Sequence, residues 1–123
     1  MRGASALAEV LAGAPAVKAF VVWEPVLDSD TAPPGPSVAL TGDARVHRYW
    51  DPKLTVSRRL LAEAIAPADC LFGKDTNDPV VWDAVFVYPP GTRWGNKLPA
   101  PAFCGRTVVR VAGELRIRLQ GAR

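Results

Sequence analysis

Two apolar runs, VKAFVVW at 17–23 and Val80 to Tyr88, are hydrophobic at both parities apart from Lys18 and Asp83, and they constrain this chain more than any other feature. A half-buried strand alternates apolar with polar, so a run apolar on both parities asks for cover on both faces, as in the parallel sheets of α/β folds. Prolines bound both runs. Pro15 precedes the first and Pro25 follows it, while Pro79 and the Pro89-Pro90-Gly91 turn bracket the second. With 123 residues to bury them in, one core is expected, giving a single domain over 1–123.

Helical periodicity flanks these strands. Residues 5–12 place Leu7, Val10 and Leu11 at i, i+3 and i+4, with Ser5 positioned to cap and Gly13 and Pro15 to terminate. Asp51-Pro52 reads as a second helix start, a carboxylate at N-cap followed by a proline that has no N–H to leave unsatisfied. That helix is expected to run to about Ala66, burying Val56, Leu60, Leu61 and Ile65 and leaving Arg58, Arg59 and Glu63 off the stripe. Between strand and helix, the proline-rich stretch 28–44 reads as a long surface connection in which Ser37 could cap a single turn, and 45–50 reads as a brief extended segment.

The C-terminal stretch is read two ways. Residues 92–105 look irregular because Pro99 and Pro101 bar a central strand. Beyond them, Val109 and Val111 against Leu115 and Ile117 suit an antiparallel hairpin turning at Ala112-Gly113-Glu114. That register opposes Arg110 and Arg116, a like-charge pair, so a short helix over 114–120 stays open as the rival.

No apolar run reaches the roughly 20 residues a bilayer crossing needs, and no signal-peptide h-region opens the chain, which as written reads as cytoplasmic. A start further upstream would instead permit a periplasmic or secreted address. The net charge of +3 comes from dispersed arginines, so neither nucleic acid nor membrane is expected as a partner. Phosphate-binding glycine spacings and nucleophile elbows do not occur, and a lone His47 excludes sites with several imidazoles from one chain; it reads as a surface side chain. No cofactor is expected.

Three tryptophans precede an acid: Trp23-Glu24, Trp50-Asp51 and Trp82-Asp83. Converging at one sheet end, the three carboxylates could hold a divalent cation or act as an acid and base. Local duties account for them more simply: Asp51 caps the second helix, Glu24 pairs with an arginine, and Asp83 satisfies backbone N–H groups. Cys70 and Cys104 are the redox candidates but read as ordinary thiols. Their spacing gives no CxxC pair, and Cys70 lies past a helix C-terminus, where the dipole disfavours a thiolate. A disulfide between them is not implied in a cytosolic chain.

The phrases VVWEPVL at 21–27, DARVHRYWDP at 43–52 and VVWDAVFVYPPGTRW at 80–94 resemble, in the same order, a group of uncharacterised bacterial proteins with a thioredoxin-like fold. The likeness spans about residues 20 to 112 and implies a core running strand, helix, strand, helix, strand, strand, helix. The chain opens at the first of those helices, so the first strand and the CxxC that follows it have no counterpart. What the resemblance implies is therefore an incomplete thioredoxin-like α/β fold with a central mixed sheet, helices packed on it and a C-terminal hairpin. It further implies a cis bond at Asp78-Pro79, and a first-described strand short of a neighbour that a partner chain, a rearranged sheet or segment 114–120 would replace. The expected role is non-catalytic binding or assembly as a homo-oligomer, with an unspecified small-molecule or protein ligand. Its contact surface would be Trp23, Glu24, Tyr49, Trp50, Asp51, Trp82, Asp83 and Trp94. The rival is a thiol- or metal-dependent enzyme using Cys70 or the acids Glu24, Asp51 and Asp83.

Overall fold

The first helix, α1 (Arg2–Ala12), carries apolar side chains on two flanks, and the rest of the fold is arranged around them. The computed structural model describes residues 2–25 and 43–120. On one flank Ala4, Leu7, Ala8 and Leu11 pack against β1 (Ala19–Trp23) through Ala19, Val21 and Trp23, and against Val46. On the other, Ala6, Leu7 and Val10 meet Ala112, Leu115 and Leu119 of α3 (Val108–Gln120), with Val85 and Val87 completing the cluster. α1 begins at Arg2, so Ser5 lies inside the helix and does not cap it.

β1 pairs in parallel with β2 (Val46–Trp50), Ala19 opposite Val46 and Trp23 opposite Trp50. The weakly patterned segment 45–50 is thus a strand, and its start is tied to α1 by charge. The Arg45 guanidinium donates to the carbonyls of Ala14 (2.6 Å) and Leu11 (3.0 Å), placing a cation at the negative end of the helix. Asp43 holds that guanidinium at 2.9 Å, and the same hydrogen bonds keep the Asp43 carboxyl below the usual carboxylate range. The proposed turn at Ser37 falls outside the described residues.

Helix α2 (Thr55–Ala62) is shorter than the apolar stripe suggested, starting after Leu54 and closing at Glu63. Pro52 therefore lies ahead of the helix and not at its first position. Leu60 joins Val81 and Leu98 in a third cluster, with Val56, Leu61, Ile65, Ala84 and Phe86 around it. Buried Ser57 accepts the Val81 N–H at 2.8 Å, locking the helix to the approach of the next strand. Glu63 accepts the Leu98 N–H (2.6 Å) and pairs with Arg59 (2.8 Å). Both contacts stabilise its charged form and hold its pKa down, the backbone contact more.

β3 (Ala84–Val87) pairs antiparallel with β4 (Phe103–Arg106). Ala84 and Phe86 face the α2 cluster, while Val85 and Val87 face α1 and α3, so this strand's two-sided apolarity is met within the chain. α3 comes close to β4: a Cβ added at Gly105 would sit 2.8 Å from Val111 Cγ1.

Four expectations are overturned here. β1 and β3 belong to separate two-stranded sheets and not to one central mixed sheet. The C-terminal segment is a helix and not a hairpin: coiling buries Ala112, Leu115 and Leu119 on one stripe and leaves Ile117 66 % exposed. It also removes the Arg110–Arg116 opposition; Arg116 instead reaches Glu9 (3.3 Å) and Arg118 pairs with Glu114 (2.9 Å). Part of the supposedly irregular 92–105 is β4, which starts two residues after Pro101 and so loses no ladder bond to it. Asp78–Pro79 is trans; the cis peptide bond among the described residues is Arg106–Thr107.

The two cysteines are joined, linking a 3-10 turn (Ala68–Cys70) to β4 across a separation of 34 residues. Closing a loop of that length should remove enough unfolded-state freedom to stabilise the fold by roughly 4 kcal/mol. Urea unfolding of the protein before and after reduction is expected to show a loss of that size, and the Cys70→Ala/Cys104→Ala variant should match the reduced protein.

Candidate functional site

Parallel strands bring their carboxyl ends to one side, and here the ends of β1 and β2 finish level, with Trp23 opposite Trp50. The ladder continues one step further, since the Asp51 N–H donates to the Trp23 carbonyl at 2.8 Å. Glu24 and Asp51 are thereby set side by side at the end of this pair, the position where open parallel sheets tend to bind ligands.

The two carboxylates are not equivalent. Both oxygens of Asp51 are occupied, Oδ1 by the Thr55 N–H (3.0 Å) and Oδ2 by the Val56 N–H (2.8 Å), so Asp51 caps α2 from outside its first turn. The capping duty read from the sequence is borne out, although the helix starts later than expected. Glu24 forms no ion pair or side-chain hydrogen bond among the described residues, which corrects the expected arginine pairing. Burial pushes its carboxyl up to about 7, and the neighbouring Asp51 charge pushes the same way. The indole N–H of Trp23 beside it is buried without a partner among the described residues.

Asp83 is employed elsewhere. Its Oδ1 accepts the Val108 N–H at 3.1 Å, so it caps α3. Trp82 packs edge-on against Phe72 with centroids 5.0 Å apart, and the Arg106 guanidinium lies over the same Phe72 ring. Trp94 stands half in solvent against the edge of Tyr88. The three acids therefore do not converge, and among the described residues no group of three His, Cys, Asp or Glu side chains is placed to hold a metal ion. The structure brings together Trp23, Glu24, Trp50 and Asp51, and Tyr49 lies one residue back on β2. Cys70 is 1 % exposed and bonded to Cys104, so neither is a free thiol.

Sequence reasoning missed the outer face of this strand pair. With Ala19, Val21, Trp23 and Val46 turned to α1, the alternate positions Phe20, Val22, His47 and Tyr49 form the opposite face. Phe20 is 63 % exposed and stacks on His47 at 5.2 Å, and Tyr49 is 52 % exposed. The available signal was the polar His47 within β2, which marks that face as solvent-facing. Among the described residues no helix is long and apolar enough to cross a membrane. Comparison with protein-family models, curated proteins and solved structures gives no match.

The raised Glu24 pKa sets a pH dependence. In the unfolded chain the group ionises near 4.5, whereas the fold keeps it protonated to about 7. Stability is accordingly greatest at low pH for this group, falls as pH rises across that window and levels off above it. Replacing Glu24 by Gln, which keeps the neutral shape, is expected to flatten the thermal-melting profile between about pH 5 and about pH 8 and to raise the melting temperature at the upper end.

Proposed function

We propose that this chain is a non-catalytic binding and assembly domain, a thioredoxin-like variant without CxxC, working through its β1–β2 pair. One observation carries the reading: among the described residues the two-stranded parallel sheet is covered by α1 on one face, its other face carries exposed aromatic side chains, and no strand lies on the free edge of β1. Parallel sheets are otherwise found covered on both faces, and an unpaired strand edge is a template for another chain.

The thioredoxin-like part of the reading is supported by element order. After its first strand, the resembled core runs helix, strand, helix, strand, strand, helix. Here α1, β1, α2, β3, β4 and α3 follow that order with β2 inserted, and the last pair is antiparallel with a helix behind it, while the division into two separate sheets departs from the single central sheet of that core. Because segment 114–120 is helical, it does not serve as a replacement strand for β1. The pairing of β1 with β2 is a rearranged sheet, and it leaves the other edge of β1 without a strand among the described residues, where a partner chain could add.

The enzyme alternative loses support from the same geometry. Asp51 and Asp83 serve as helix caps, and Cys70 is buried and bonded to Cys104, so it is not available as a free nucleophile. The disulfide fits an oxidising compartment better than the cytoplasm. Mass measured by light scattering over a wide concentration range tests the assembly role: reversible growth from monomer toward a defined oligomer is expected, and a monomer at every concentration overturns it.

A further inference from the structure

The outer face of β1 has a charge order along its length. Alternation puts Lys18, Phe20, Val22 and Glu24 on one parity, so the face begins with a cation, continues through two apolar side chains and ends with a carboxyl group. Beside it on β2 stand His47 and Tyr49, opposite Phe20 and Val22. Lys18, Phe20, His47 and Tyr49 are all exposed, and Val22 is half-buried. Arg45 and Asp51 add the same signs at the same two ends, but their side chains are held by α1 and α2. Lys18 is exposed and Glu24 is half-buried, and neither forms an ion pair among the described residues, which leaves them as the charges at the two ends of this face of β1.

This order matches its own reverse. Two such faces can meet about a two-fold axis lying between them in one of two simple ways. An axis along the strands sets β1 over the partner's β2 running the same way, which brings cationic end onto cationic end. An axis across the strands at the level of Val21 sets β1 over the partner's β1 running oppositely. Lys18 then lies over the partner subunit's Glu24, Phe20 over the partner's Val22, and His47 over the partner's Tyr49, each contact made twice. Aligned sheets pack about 10 Å apart, which these side chains span. A purely acidic or purely basic partner would match one end of the face and oppose the other.

We infer that the outer face of β1–β2 is the contact of a two-fold dimer, in which a second copy of this chain lies antiparallel across it with Lys18 and Glu24 paired between subunits. This rests on the assembly reading and names its partner. The aromatic centre, Phe20 with His47 and Tyr49, supplies the desolvated area, and the terminal charges select the antiparallel arrangement over the parallel one.

Light scattering and sedimentation of the wild type, Lys18→Glu, Glu24→Lys and the double exchange test it, at about pH 8 so that Glu24 is ionised. Each single reversal is expected to weaken dimerisation by at least about tenfold, and the double exchange to recover it to near the wild-type value. Dimerisation of the wild type should also weaken as salt is raised, which guards against a charge-reversed variant that fails to fold. If the wild type associates but the double exchange stays as weak as the singles, or salt leaves association unchanged or stronger, the inference falls and the assembly reading stands. A wild type that is monomeric throughout overturns both.

Discussion

Helix α1 is the part on which the remaining elements depend, because its two flanks hold separate sheets that share no strand pairing. Leu7 touches both clusters, and Val17, on the link from α1 to β1, does the same. The grip of Arg45 on the carbonyls at the helix end fixes where β2 begins, and through the β1–β2 ladder fixes where both strands stop. One electrostatic contact at a helix terminus thus sets the level at which Glu24 and Asp51 come together.

Three Trp-acid pairs that look alike in sequence have diverged because each carboxylate sits in a different backbone setting. Asp51 precedes α2 and caps it, whereas Asp83 lies just ahead of β3 and is brought by the fold to the start of α3, 25 residues on; at both helix starts the first N–H groups lack intrahelical acceptors and draw a carboxylate into capping. Glu24 follows β1 and accepts no hydrogen bond among the described residues, and burial together with the Asp51 charge disfavours its charged form. Its neutrality is the less costly state there.

Much of this was legible in the residues. The 3.6-residue spacing of Leu7, Val10 and Leu11 marked α1, and the apolar run at 17–23 marked β1. Asp51 was readable as a cap from its neighbour Pro52, although the helix waits until Thr55. The last helix was obscured because Val109, Val111, Leu115, Ile117 and Leu119 satisfy a two-residue period, while Ala112, Leu115 and Leu119 satisfy a helical one. The like-charge opposition of Arg110 and Arg116 was the clue against the hairpin, and it carried more weight than the alternation. The disulfide was not legible, since a separation of 34 residues says nothing about proximity until β4 is placed beside the 3-10 turn. Nor was the Glu24–Asp51 contact, which depends on a register between strands more than twenty residues apart.

β1 and β3 carry the same sequence signal, apolar residues at both parities, and the fold answers them differently. β3 lies between the α2 cluster on one side and α1 with α3 on the other, so both parities of Ala84–Val87 are covered by this chain. β1 has α1 behind it, and Phe20 on the far side remains mostly in water. Leaving a Phe of that exposure uncovered forgoes on the order of 1 kcal/mol or more of transfer free energy, and Tyr49 adds to it. Selection for stability alone would place a polar residue there, as β2 does at His47. An aromatic at position 20, flanked along one face by the exposed Lys18 and the half-buried Glu24, fits contact with another surface better than contact with solvent.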